Sequence, residues 1–190
     1  PPAYVVCNPD KPTGRKKIIT PPPTKLIAQA NGLPVLQPEK LDLSLFIIPN
    51  SIFDFFVIAA YSKIIRKDII GIPRLGVIGV HPSLLPKHRG ASPIQSSILE
   101  GDTETGVALF LIDEKIDHGS VIVSEKLKMK SEKCTYKELE SHLAELAGSL
   151  LVKTLSDFVA GKIAPQSQNE ADATYTKKFS AADAEISPED

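Results

Sequence analysis

The chain has 190 residues, 42% of them apolar and 24% charged, with 22 Lys and Arg against 23 Asp and Glu for a formal net charge of −1. That is enough apolar sequence to bury a globular core without metals or disulfides, and so balanced a charge excludes a surface that attracts polyanions as a whole; any nucleic-acid contact must come from a local basic cluster. The two cysteines, Cys7 and Cys134, stand apart from each other and from any His set at metal spacing, which argues for a reducing compartment and against structural zinc. No apolar run reaches the roughly 20 residues of a membrane-spanning helix, and the Pro-Pro start has no secretory pattern. The chain is therefore expected to be soluble, in the cytoplasm or an organelle matrix. Lacking an initiator Met, it is expected to be a piece of something longer.

In chain order, residues 4–7 are a β-branched run that predicts a strand. A basic loop follows, with Arg15, Lys16 and Lys17 at its tip and Pro9, Pro12 and Gly14 giving it shape. Pro22, Pro23 and Thr24 lead into a helix over 25–31 that Gly32 ends. Residues 55–60, Phe-Phe-Val-Ile-Ala-Ala, are continuously apolar, as in a central strand covered on both faces rather than an edge. Strands are predicted at 77–80, 106–112 and 121–124. Between the first two, Ser92 as N-cap and Pro93 at the first helical position start a helix that stops at Gly101. The longest helix begins near Thr135, carries Tyr136, Leu139, Leu143, Leu146, Leu150, Leu151, Leu155 and Phe158 at three-to-four-residue intervals, and closes at Gly161. Residues 164–190 are polar and aperiodic and read as a linker, leaving 1–163 as the domain. This alternation predicts an α/β fold, a mostly parallel sheet flanked by helices.

In such sheets ligands collect beyond the carboxyl ends of the strands. One of these ends presents His81, another Asp117, and an imidazole with a carboxylate can form an acid/base pair. Residue types alone leave open the plainer reading, in which His81 closes a strand and Asp117 belongs to a turn before Gly119.

The longer pattern decides between them. Residues 81–90, reading H-P-S-L-L-P-K-H-R-G, followed by 101–106 and 116–119, resemble the signature blocks of the folate-dependent formyltransferase family. The resemblance implies a Rossmann-like formyltransferase fold that lacks the family's first strand and helix here. It implies 10-formyltetrahydrofolate as formyl donor, no metal, and His81 and Asp117 as the catalytic pair. By the same carry-over, Ser83, Leu84, Leu85 and Pro86 lie against the folate, and Tyr61, Ser62, Lys63 and Ile64 wall the pterin opposite Ile112, Asp113, Glu114 and Lys115. Residues 8–17, 32–41 and 173–186 resemble the branch of the family that acts on methionyl-tRNA. They imply initiator methionyl-tRNA as acceptor, a role in translation initiation, tRNA phosphate contacts by Arg15, Lys16 and Lys17, a link into an OB-like domain, and a monomer.

One position departs from the pattern. Where the family carries an Asn two residues before the His, this chain has Gly79, and loss of one oxyanion donor can lower a rate by roughly 10²–10³. Three alternatives follow: a 10-formyltetrahydrofolate hydrolase, a sugar N-formyltransferase relative, or a degenerate domain that binds folate or tRNA with little turnover.

Overall fold

A computed structural model describes residues 2–46, 53–61, 63–129 and 134–184. The chain divides into two compact units, Pro1–Ser51 with Tyr61–Ile65, and Ile52–Ala60 with Arg66–Asp190.

In the first unit, strand β1 (Val5–Val6) is followed by β2 (Lys11–Thr13), β3 (Ile18–Thr20), helix α1 (Pro23–Ala30) and β4 (Val35–Leu36). β1 pairs with β4 in parallel. α1 starts with proline in its first turn, where the missing N–H has no partner to lose. It stops where Gly32 takes φ +67. The basic loop is a β-hairpin: β2 and β3 pair antiparallel, and Gly14 at φ 66 and Lys17 at φ 48 turn the chain between them. The hairpin is exposed along its length. At its base the Lys25 ammonium and the Gln37 amide both donate to the Asp10 carboxylate, at 2.8 and 2.7 Å, and hold it below its ordinary pKa.

The second unit holds β5 (Phe56–Ala59), the short helix α2 (Lys67–Ile70), β6 (Val77–His81), β7 (Arg89–Gly90), α3 (Pro93–Leu99), β8 (Glu104–Leu111), β9 (Val121–Lys128), α4 (Tyr136–Val159) and β10 (Tyr175–Thr176). Its four-stranded sheet has the order β5-β6-β8-β9. β5 and β6 run parallel, and β8 is antiparallel to both its neighbours. Among the described residues β5 is therefore an edge strand, with half-buried and exposed residues in alternation. This corrects the reading of 55–60 as covered on both sides: a continuous apolar run marks a strand but does not supply its neighbour.

The register sorts the two faces of this sheet. Ile78 opposes Leu111 and Val80 opposes Leu109. Together with Val107 these residues pack with Ile94 of α3 and with Leu139, Leu143, Leu150 and Phe158 of α4. The predicted leucine stripe is thus the core face of α4, while Tyr136 in its first turn is exposed and donates its hydroxyl to Glu140. Its start is fixed by a capping box, in which Thr135 Oγ1 accepts from the Glu138 N–H and the Glu138 carboxylate accepts from the Thr135 N–H. Gly79 opposes Phe110 and His81 opposes Ala108 on the other face. There the polar stretch after α4 returns to the domain: β10 pairs with β7, and Val121 and Gln166 exchange backbone hydrogen bonds at 2.8 Å.

Candidate active site

His81 ends β6, its side chain directed away from the α4 core, and is only 5% exposed. Its Nε2 lies 2.8 Å from the backbone carbonyl oxygen of His88. A carbonyl only accepts, so Nε2 carries the proton and Nδ1 is the nitrogen left to titrate. Nδ1 is 3.5 Å from Asp117 Oδ2. Burial depresses the pKa of the imidazole and the Asp117 charge opposes that shift without cancelling it.

Asp117 comes from the loop after β8, with φ 45. Its Oδ2 accepts from the Gly90 N–H at 2.7 Å, and its own carbonyl, like that of Gly119, accepts from the side-chain amide of Gln168, at 2.9 and 2.7 Å. The loop crosses close under β8 at Gly119, where a Cβ would lie 1.7 Å from the Leu111 carbonyl oxygen. Only glycine permits that approach.

Ser83 to Pro86 form a tight turn whose one hydroxyl is used internally: Ser83 Oγ donates to the Lys87 carbonyl at 2.6 Å and is fully buried. The turn therefore offers a ligand its shape, not a free serine. Leu84 lies against Gly106, where a Cβ would meet its Cδ2 at 2.6 Å. On the far strand end, Ile112 donates its N–H to the Val77 carbonyl. The Asp113 carboxylate holds His118 Nδ1 at 2.6 Å. Burial alone would raise this carboxyl, but His118 and the Lys115 N–H outweigh it and leave the group below its ordinary pKa. Glu114 pairs with Lys67 in the open, and Lys115 is exposed.

The other expected residues fall in the first unit. Lys63 Nζ donates to the carbonyls of Pro38 and Glu39, each at 2.7 Å, Ile64 is 90% exposed, and burial followed by the neighbouring Cys7 raises the Tyr61 phenol. Ser62 lies outside the described residues. Arg15, Lys16 and Lys17 occupy the exposed tip of the β2–β3 hairpin.

Three features escaped sequence reasoning. Arg89 is completely buried and its guanidinium donates to Gln168, Glu170 and Tyr175, binding the returning segment to the site. His88 is buried with Nε2 2.7 Å from Asp102 Oδ2. With Glu100 these two could hold a metal ion, but the Lys87 ammonium already stands 2.5 Å from Asp102 and 3.7 Å from Glu100 and fills the cation position. Finally, a Cβ at Gly79 would lie 2.3 Å from Cε1 of Phe110, whose ring stands edge-on to the His81 imidazole with centroids 6.4 Å apart. The space an Asn side chain would need is occupied by an aromatic ring.

The formyl transferase family model matches residues 2–155. The chain is 42% identical to a methionyl-tRNA formyltransferase of Synechococcus sp. (strain JA-3-3Ab) over 96% of its own length and 57% of that protein's. It spans little more than half the length of the curated relatives it matches. Among solved structures, the formyltransferase PseJ from Anoxybacillus kamchatkensis, in complex with a UDP-sugar and tetrahydrofolate, is 28% identical with a TM-score of 0.65, 82% of each chain being covered. A methionyl-tRNA formyltransferase from Clostridium thermocellum shares the fold at 20% identity, with a TM-score of 0.64 over 86% of this chain and 70% of that one. The chain belongs to the formyl transferase family, with its α/β, Rossmann-like fold.

Proposed function

We propose that the protein carrying this chain moves a formyl group from 10-formyltetrahydrofolate to the amino group of methionyl-tRNA, giving the formylated initiator of translation. The observation that carries this reading is the convergence of His81 and Asp117 from two strand ends, 3.5 Å apart, with the carboxylate held by the Gly90 N–H. In the reaction the amine nitrogen bonds to the formyl carbon and the carbonyl electron pair moves onto oxygen. Collapse of the tetrahedral adduct then breaks the bond to the folate nitrogen, which must gain the proton the amine loses. In this reading His81 Nδ1 takes that proton and returns it to the leaving nitrogen, while Asp117 stabilises the imidazolium between the two transfers.

A folate-type donor is supported by the family match and by the tetrahydrofolate in the PseJ complex. The acceptor rests on the relatives named methionyl-tRNA formyltransferase and on the cationic hairpin tip, which suits phosphate contacts. The turn 83–86 and the loop 112–115 make the folate wall in this proposal. Residues 164–190 lead toward a further OB-like domain, their first part, 166–176, bound to the sheet.

A second reading, folate hydrolysis or folate binding with little turnover, is favoured by the Phe110 ring at Gly79, which leaves no side-chain donor there. Full-length protein incubated with formyl-labelled donor and methionyl-tRNA separates the two. Labelled formyl-methionyl-tRNA supports the first; free formate, or bound and unchanged donor, refutes it.

A further inference from the structure

His88 has a backbone that few residues adopt and a side chain that the proposed chemistry does not use. It takes φ +59, a left-handed conformation disfavoured for any residue with a Cβ. Its N–H donates to Thr174 Oγ1 at 2.8 Å, its carbonyl faces His81 Nε2 at 2.8 Å, and its ring reaches the opposite way to Asp102 at 2.7 Å. Asp102 is itself fixed just past α3, its N–H bonded to the Ser97 carbonyl at 3.0 Å and its carboxylate to the Lys87 ammonium at 2.5 Å. Lys87 and His88 lower the Asp102 pKa against the burial that raises it, which keeps an anion available to the ring. The other ring nitrogen of His88, Nδ1, is buried with no hydrogen-bond partner and lies 3.7 Å from Glu100 Oε1, so the bond to Asp102 is the ring's one hydrogen bond among the described residues.

We propose that His88 is a positioning residue for His81: the bond of its ring to Asp102 holds the left-handed backbone, and the carbonyl so aimed confines the His81 proton to Nε2 and leaves Nδ1 toward Asp117. The inference deepens the formyl-transfer reading by naming the working nitrogen, and it rests on that reading only for its kinetic consequence. Without the anchor the carbonyl can rotate away, the neutral ring can exchange tautomers, and Nδ1–H then faces the Asp117 carboxylate. A histidine in that state has no lone pair on the side where the proposed reaction needs one.

The test uses the full-length protein with His88→Gly, which adopts positive φ freely but has no ring, and His88→Gln, whose terminal amide can still donate to Asp102. Long-range proton–nitrogen NMR of His81 reads the tautomer directly. The unmodified protein should show a protonated Nε2 and a bare Nδ1, His88→Gly a mixture, and His88→Gln the original state. The formylation kcat should fall in the glycine variant, by part of the roughly 10²–10⁴-fold that a positioned acid–base group contributes, with KM for the donor unchanged, and return in the glutamine variant. A glycine variant that melts as the parent does, with the same tautomer and the same kcat, overturns the proposal; so does a glutamine variant as impaired as the glycine one. If the protein transfers no formyl group at all, the functional reading falls while the tautomer comparison still decides the role of His88.

Discussion

The Gly79–Phe110 pair gives the sharpest test of how this site is built. Restoring an Asn at 79 puts a Cβ 2.3 Å from Phe110 Cε1, about 1.2 Å inside the roughly 3.5 Å at which carbon atoms make favourable contact. Phe110 is buried in β8, opposite Gly79 in the register, so the ring can yield only by leaving its rotamer or by pushing on the His81 imidazole. Overpacking of this kind costs about 1–3 kcal/mol, and Gly79→Asn alone should lose that much stability and gain no activity. Phe110→Ala alone should cost about 3–5 kcal/mol for the emptied space. In the double variant the amide occupies part of that space and the clash is gone, so the total loss should fall short of the sum by about 1–3 kcal/mol. If an oxyanion donor is what the site lacks, formyl transfer by the double variant should exceed that of Phe110→Ala by up to roughly 10²–10³. Urea unfolding of the four proteins measures the coupling, and single-turnover formylation measures the rate. Additive stabilities, or a Gly79→Asn protein as stable as its parent, would show that the ring does not exclude the amide.

Because burial holds the His81 pKa below the ordinary histidine value of about 6.5, the unfolded chain binds the proton more readily; His81 adds stability above pH 6.5 that is lost as pH falls through the folded value, and His81→Gln should flatten the unfolding free energy over that interval. Replacing Arg89 by Met removes the donors to Gln168, Glu170 and Tyr175, so amide exchange should quicken across 166–176 while α4 stays protected; equal protection in both segments would refute the anchoring role. Gly90→Ala places a Cβ 2.8 Å from the Thr176 carbonyl oxygen at a φ of +110, which should displace the N–H that holds Asp117 and raise the pKa of the His81 imidazole, read as an upward shift of the acid limb of the formylation profile. Replacing Arg15, Lys16 and Lys17 by Ala should reduce the slope of log affinity against log salt for tRNA by about 2–3, with donor binding unaffected.

The elements that the sequence disclosed are those whose burial is written in their own residues, periodic along α4 and nearly continuous along β6. The leucine spacing of α4 and the apolar run of β6 are direct records of what each side faces, and Pro93 and Thr135 mark helix starts by local hydrogen-bond logic. Even there a local rule misassigns detail: Ser92, a good N-cap by type, makes no side-chain cap bond, and its N–H instead donates to Thr176 Oγ1. The stretch 166–176 has no periodicity because polar side chains and short backbone pairings hold it, not a buried apolar face. Its partners, Arg89 and the carbonyls of Asp117 and Gly119, lie some 50 to 80 residues earlier. The edge position of β5 and the meeting of Gly79 with Phe110 are facts of sheet order and register, which no single strand encodes. The catalytic candidates were legible as residue types at two strand ends; that the turn between them consumes its only serine hydroxyl was not.

The division of the Asp117 carboxylate between two partners has a chemical consequence. Were its Oδ2 spent wholly on His81 Nδ1 at the length of a short charge-assisted bond, the imidazolium would be held too firmly to give a proton back. Were it absent, burial would lower the proton affinity of the ring further. The Gly90 N–H at 2.7 Å takes the nearer share of that oxygen and leaves His81 at 3.5 Å. A proton shuttle works best with an affinity between those of the groups it serves. The strand pairing of β7 with β10, which fixes Gly90, thus reaches the proposed proton chemistry through one backbone amide, and the polar segment after α4 holds the loop of Asp117 through Gln168.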